Sequence, residues 1–68
     1  DGHGTLSDLT RGLAALPPLL REALVLVGAE GLSQEEAAAI CGVPVGTMKA
    51  RVSRARRQLA TAMGREHA

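Results

Sequence analysis

The chain contains 68 residues, 46% of them hydrophobic and none of them Phe, Tyr or Trp. This length allows one small domain, and its core must be built from aliphatic side chains and Ala, which favours packed helices. The single cysteine, Cys41, excludes an intramolecular disulfide and predicts a small buried residue in a reducing, cytoplasmic compartment. No apolar run approaches the roughly 20 residues of a membrane span, so we expect no membrane partner.

Charge is distributed unevenly along the chain, although the net charge is only +1. Residues 1–48 carry six acidic and two basic side chains, whereas residues 49–68 carry six basic side chains and one acidic one. Five of the basic residues lie within nine positions: Lys49, Arg51, Arg54, Arg56 and Arg57. This asymmetry indicates a polyanionic partner for the C-terminal element, while a solvated helix face is the alternative that charge alone leaves open.

Two helices are predicted in the first half of the chain. Between Thr5 and Ala15, leucines recur at the spacing of one amphipathic stripe, which consists of Leu6, Leu9, Leu13 and Leu16. Pro17 and Pro18 interrupt this helix, and Pro18 suits the first turn of the next one. The second helix is predicted to end at residues 28–31 and to have an apolar face made of Leu19, Leu20, Ala23, Leu24 and Val27.

The second half carries the signals of a short helix, a tight turn and a longer helix. Ser33 and Glu36 have the spacing of a capping box, in which each side chain bonds the other's backbone N–H. Gly42 suits the left-handed conformation that ends a helix, and Pro44 precedes a fourth helix predicted to continue to about Ala62. This order is typical of a helix-turn-helix, whose second helix enters the DNA major groove.

Helical geometry divides the fourth helix into two faces. One face is predicted to be a buried seam of Met48, Val52, Ala55, Leu59 and Met63. The opposite face presents Gly46, Ala50, Ser53, Arg54 and Arg57, flanked by Lys49, Arg51 and Arg56. Small residues let the backbone approach base edges, and the basic side chains can reach phosphates or guanine edges. Thr47, in the first turn, can donate a hydrogen bond to a phosphate that the free N–H groups there also favour.

Linked motifs run through residues 16–59, "LPPLLREALVLVGAEGLSQEEAAAICGVPVGTMKARVSRARRQL". They are Leu16-Pro17, Arg21-Glu22-Ala23, Gly31-Leu32-Ser33, Glu35-Glu36-Ala37 and Pro44-Val45-Gly46-Thr47, followed by Lys49, Arg51, Arg54, Ala55 and Arg56. Together they resemble region 4 of the extracytoplasmic-function (ECF) sigma factors, the bacterial RNA polymerase specificity subunits. Residues 21–42 are most similar to the sigma factors of the alphaproteobacterial general stress response. The resemblance implies an all-α, four-helix domain over residues 5–63, winged-helix-like without a wing, with flexible tails at 1–4 and 64–68.

The function implied by this resemblance is recognition of the promoter −35 element as duplex DNA during transcription initiation. By motif position, the candidates for base and nearby backbone contacts are Lys49, Ala50, Ser53 and Arg54, and those nearer the phosphates are Thr47, Arg51 and Arg56. Arg57 shares the basic face, and Ser33 and Gln34 are candidates for additional phosphate contacts. Ala50 stands where Ser is common in the family and Ser53 where larger residues are common, so the family's base preference does not transfer.

The resemblance also implies protein partners, namely the flap of the RNA polymerase β subunit and an anti-sigma factor. The candidate contacts are four apolar residues of the second helix: Leu19, Leu20, Leu24 and Val27. For each of them, burial in the core is the alternative. Two other kinds of domain share the helix-turn-helix outline and remain as alternatives. A sigma-like decoy would bind an anti-sigma factor instead of promoters but has no need of a basic helix. A response-regulator effector domain fits the motif at residues 44–47 less well.

An enzyme is not expected from this sequence. It offers no paired-carboxylate cleft, no cluster of metal ligands and no nucleophile beside a base. His3 and His67 fall in the predicted tails. We therefore predict no catalytic residue, no metal and no cofactor.

Overall fold

The structure, a computed structural model, describes residues 6–64, and their side chains from residue 8 onward. Helices make up most of this range, in the order α1 (Leu6–Ala15), α2 (Pro18–Leu24), a π-helical turn (Val25–Ala29), α3 (Gln34–Cys41) and α4 (Val45–Ala62). No strand occurs among the described residues. The predicted all-α, four-helix architecture is thus confirmed. The predicted tails lie outside the described residues, except for Gly64.

The ends of α3 are set by the residues that the sequence singled out. Ser33 Oγ accepts a hydrogen bond from the Glu36 N–H at 3.0 Å, and Glu36 Oε1 accepts one from the Ser33 N–H at 2.9 Å, completing the capping box. Gly42 has φ of 70°. That left-handed residue lets the Val43 N–H reach back to the Ala38 carbonyl at 3.1 Å, which ends the helix in a tight turn.

The second helix differs from the simple α-helix that the sequence predicts. Its last turn widens to a π-helical geometry from Val25 to Ala29, and the Glu30 N–H donates to the Val25 carbonyl at 2.9 Å. A π-helical turn has one more residue per hydrogen-bonded ring than an α-helical turn, so it spreads the backbone at that point. The widened turn exposes Gly28 and Ala29 at the surface.

The hydrophobic core consists of two clusters arranged along α4. The helix-turn-helix cluster joins α2, α3 and the first half of α4, and contains Ala23, Ala37, Ala38, Met48 and Val52. The α1 cluster joins α1, α2 and the second half of α4, and contains Leu16, Leu20, Leu24 and Ala55, with Leu13 and Leu59 packed against it. Cys41 was predicted to be buried, but it is only half-buried against the helix-turn-helix cluster. One helix, α4, therefore supports both halves of the domain.

None of the helices described between residues 6 and 64 combines the length and apolar character that a membrane crossing requires.

Candidate nucleic-acid interface

The helix-turn-helix holds α4 so that one face packs inward and the other faces solvent. Met48, Val52 and Ala55 are at most 1% exposed, and the predicted seam residues Leu59 and Met63 are half-buried. Because a helix turns about 100° per residue, the residues opposite this seam are directed outward. All of them are exposed, as the helical geometry predicts: Gly46, Ala50, Ser53, Arg54 and Arg57.

The basic side chains around this face are available to an external anion. Lys49, Arg54, Arg56 and Arg57 are exposed, and Arg51 is half-buried. Within residues 6–64, none of these five side chains forms an ion pair or a hydrogen bond with the protein. The acidic residues of the other helices therefore do not neutralise this surface, which we call the basic face. It consists of Gly46, Thr47, Lys49, Ala50, Arg51, Ser53, Arg54, Arg56 and Arg57.

The N-terminus of α4 adds backbone donors to the basic face. Pro44 is the N-cap and provides no side-chain hydrogen bond, and the first N–H bonded within the helix is that of Met48, to the Pro44 carbonyl at 3.1 Å. A Cβ atom placed on Gly46 would meet nothing within 4 Å. Open space and unsatisfied N–H groups at a helix N-terminus favour a phosphate at that point.

The two phosphate-contact candidates on α3 lie in a different local setting. Ser33 is exposed, but its hydroxyl oxygen already accepts the capping hydrogen bond from Glu36. Gln34 is half-buried at the first position of α3. The fold thus gathers the α4 candidates on one helix face and leaves Ser33 and Gln34 on the preceding helix. Their contacts with DNA stay a prediction.

The predicted partner-binding residues of the second helix do not form one surface. Leu19 is 55% exposed, whereas Leu20 and Leu24 are 7% and 9% exposed and belong to the α1 cluster. Val27 is half-buried against the helix-turn-helix cluster. The prediction is corrected for Leu20, whose side chain is covered in the α1 cluster, whereas the mostly buried Leu24 also lines a surface groove. Of these four residues, Leu19 alone has a largely exposed side chain.

An apolar groove that sequence reasoning missed lies between α1, the π-helical turn and the second half of α4. Its volume is about 260 Å³, and it is lined by Leu9, Leu13, Leu24, Val25, Gly28, Ala29 and Leu59. The only sequence signal for it was the Leu9–Leu13 spacing, which predicts an apolar stripe but not that Leu9 stays 37% exposed. We refer to these seven residues as the apolar groove.

Side chains that could bind a metal ion form no site in the described part of the chain. No group of three or more His, Cys, Asp or Glu residues there is placed to hold a metal ion. His3 and His67 lie outside the described residues.

Comparison with known proteins decides the family. The family described as "Sigma-70, region 4" matches residues 6–59, most of the chain and both helices of the helix-turn-helix. The chain belongs to the sigma-70 region 4 family. The description of this family names a region of a sigma factor and not a catalytic domain.

Several curated proteins similar to this sigma region 4 chain are ECF sigma factors, which confirms the ECF resemblance. The ECF RNA polymerase sigma factor EcfG of Rhodopseudomonas palustris is 54% identical over 57 residues, which are 84% of this chain and 32% of that protein. SigE of Mycolicibacterium smegmatis is 49% identical over 53 residues, covering 78% of this chain and 21% of the relative. The chain thus spans a third or less of the length of these relatives.

A solved structure shares the fold of the region 4 chain. It is the sigma factor RpoE in complex with the anti-sigma factor NepR, from Bartonella quintana. The two align with a TM-score of 0.82 and 45% sequence identity, over 94% of this chain and 41% of RpoE.

Proposed function

We propose that this chain recognises the −35 element of promoters as duplex DNA, as part of an ECF sigma factor that directs RNA polymerase to start transcription. The observation that carries this proposal is the basic face: five cationic side chains on one helix, without an ion-pair partner among residues 6–64. A helix-turn-helix places such a helix in the major groove.

Each part of the basic face supports a different kind of DNA contact. Ala50 and Ser53, exposed and small, allow the α4 backbone to come close to the base edges. Arg54 lies one turn after Ala50 and can read a guanine edge, while Lys49 at the flank is suited to a phosphate. Thr47 and the open N-terminus of α4 supply further phosphate donors.

The proposed protein partners are the flap of the RNA polymerase β subunit and an anti-sigma factor, in a bacterial cytoplasm where bound polymerase carries the protein to the nucleoid. Support comes from the apolar groove and the exposed Leu19, which remain uncovered in the isolated chain. The relative RpoE was solved with the anti-sigma factor NepR. The similarity of this chain to RpoE and to EcfG also supports assignment to the general stress response.

An anti-sigma decoy is the second candidate function, because the apolar groove would serve a decoy equally well. The basic face favours promoter recognition, since a decoy does not need unpaired cations on α4. DNA binding therefore separates the two functions.

Fluorescence anisotropy with DNA duplexes tests the proposal. A duplex pool randomised across the −35 element is selected on the chain and sequenced, and the winning duplex is titrated at about 50 and about 200 mM salt. Each neutralised phosphate contributes about 0.9 to the slope of log affinity against log salt, so full use of the five cations predicts a slope of about −4 to −5. A pool that yields no preferred sequence, or an affinity indifferent to salt, would refute promoter recognition.

A further inference from the structure

The C-terminal end of α1 lacks the backbone donors that normally follow a helix. The carbonyl of Ala14 would accept from the N–H three or four residues later, but those positions are Pro17 and Pro18, which have no N–H. Unsatisfied carbonyls at a helix end need another donor, either water or a side chain. The two prolines that separate α1 from α2 thus leave α1 without a backbone cap at this carbonyl.

Arg21 of α2 supplies the missing donor. Its Nη1 atom donates to the Leu16 carbonyl at 3.1 Å and approaches the Ala14 carbonyl at 3.3 Å. The guanidinium also places a positive charge at the negative end of the α1 dipole. Arg21 is half-buried, so solvent screens these contacts only in part. The contacts link the start of α2 to the end of α1 across the double-proline turn.

Apolar contacts also attach the C-terminal half of α1 to the core. Leu13 and Leu16 pack in the α1 cluster, whereas Leu9 is 37% exposed. No residue of α1 belongs to the helix-turn-helix cluster. Nevertheless Leu9 and Leu13 form one wall of the apolar groove. The orientation of α1 therefore decides the shape of the groove while leaving the basic face unaffected.

We infer that Arg21 is a positioning residue: by capping α1 it holds one wall of the apolar groove in place, and it acts on partner binding without acting on DNA binding. The Arg21 contacts by themselves support the capping of α1. The part concerning partner binding rests on the proposed function of the groove.

Hydrogen exchange measured by NMR tests the structural half. Arg21→Met keeps an apolar stem but removes every side-chain donor, and Arg21→Lys keeps the positive charge. Arg11→Met is the matched control, because Arg11 forms only a surface ion pair with Asp8, at 2.8 Å. We expect the amides of Leu13 in α1 and of Leu16 just after it to exchange roughly ten- to a hundredfold faster in Arg21→Met, the range for a lost hydrogen bond to a charged group. Arg21→Lys should restore part of the protection, and Arg11→Met should leave it unchanged.

Amide exchange in α4 distinguishes a local effect on α1 from a loss of global stability. Amides of Val52 and Ala55 should keep their protection in Arg21→Met. Unchanged exchange in α1 overturns the inference, and so does equal acceleration in α1 and α4, because the latter is a loss of global stability.

Binding measurements then test the effect on partners. Arg21→Met should weaken binding of the Bartonella quintana protein NepR about tenfold or more while the −35 duplex affinity stays within twofold, roughly the change expected when a charged hydrogen bond is lost. Equal losses for NepR and DNA overturn a selective role for Arg21. If the unmodified chain binds DNA but not NepR, the proposed partner is wrong, and the exchange data alone then decide whether Arg21 positions α1.

Discussion

Gly12 of α1 lies directly against Leu59 of α4. A Cβ atom placed on Gly12 would be 2.6 Å from Cδ1 of Leu59 and 3.5 Å from Cγ of Met63. Residue 12 is therefore a glycine at a point where the Leu59 side chain leaves no room for a Cβ atom. The same α4 helix carries the basic face in its first half and receives α1 in its second half, so one helix connects the basic face and the apolar groove.

The close approach predicts a cost for any large residue at position 12. Gly12→Leu should lower the free energy of unfolding by roughly 1–3 kcal/mol, because the added side chain overpacks the α1–α4 contact. Urea denaturation followed by circular dichroism measures this change. Gly28→Leu is the matched control, since a Cβ at Gly28 would meet only Leu24 Cδ1, at 3.8 Å. Equal losses in the two variants would show that the approach at Gly12 does not limit packing.

The open space at Gly28 also predicts a selective effect on partner binding. Gly28→Leu should fill part of the apolar groove and weaken NepR binding about tenfold, with no change in affinity for the −35 duplex, as expected when roughly one side chain's worth of apolar contact is lost. Isothermal titration calorimetry measures the former and anisotropy the latter. Ala39→Leu adds the same side chain to an exposed site of α3 outside the groove and should leave NepR binding unchanged. Undiminished NepR binding to Gly28→Leu would place the partner elsewhere.

Two leucines of α2, Leu19 and Leu24, are predicted to contribute very differently to stability. Leu24→Ala should destabilise the fold by roughly 2–5 kcal/mol, because Leu24 is a core residue of the α1 cluster. Leu19→Ala should change stability by no more than about 0.5 kcal/mol, because its side chain is mostly exposed. Thermal and urea unfolding of both variants check this pair. A large loss for Leu19→Ala would contradict its position on the surface.

Lys49 and Arg54 are predicted to contribute differently to DNA binding. Arg54→Ala should reduce discrimination between −35 sequences by roughly 1–3 kcal/mol if this side chain reads a base. Lys49→Ala should weaken binding to all duplexes alike and reduce the salt slope by about 0.9 if this side chain neutralises one phosphate. Titration of each variant with the selected duplex and with single-base variants of it measures both effects. Arg11→Ala, on the opposite end of the chain, is the control for lost charge. A uniform loss in Arg54→Ala would reassign it to the phosphates.

Local interactions explain why the helix boundaries were predictable. The capping box of Ser33 and Glu36, the left-handed Gly42 and the proline at position 18 act within four residues of their own position. The buried seam of α4 was likewise predictable, because Met48 and Val52 recur at helical spacing in one continuous helix. For the same reason the outward face of α4, and with it the basic face, followed from the sequence.

Contacts between distant parts of the chain explain what was not predictable. Leu19 and Leu20 are neighbours of equal hydrophobicity, yet one is 55% and the other 7% exposed. That difference depends on where α1 and α4 lie against α2, which no local pattern encodes. The apolar groove arises in the same way, since it joins residues from 9 to 59.

The helices, their caps, the basic face and the motifs that indicate the family could all be predicted, because each depends on residues close together in the chain. Tertiary structure alone decided three further features: that the basic side chains have no acidic partner within residues 6–64, that Leu20 and Leu24 are core residues, and that Arg21 caps α1. These depend on how helices cross. Crossing geometry is set by packing among side chains that are far apart in sequence.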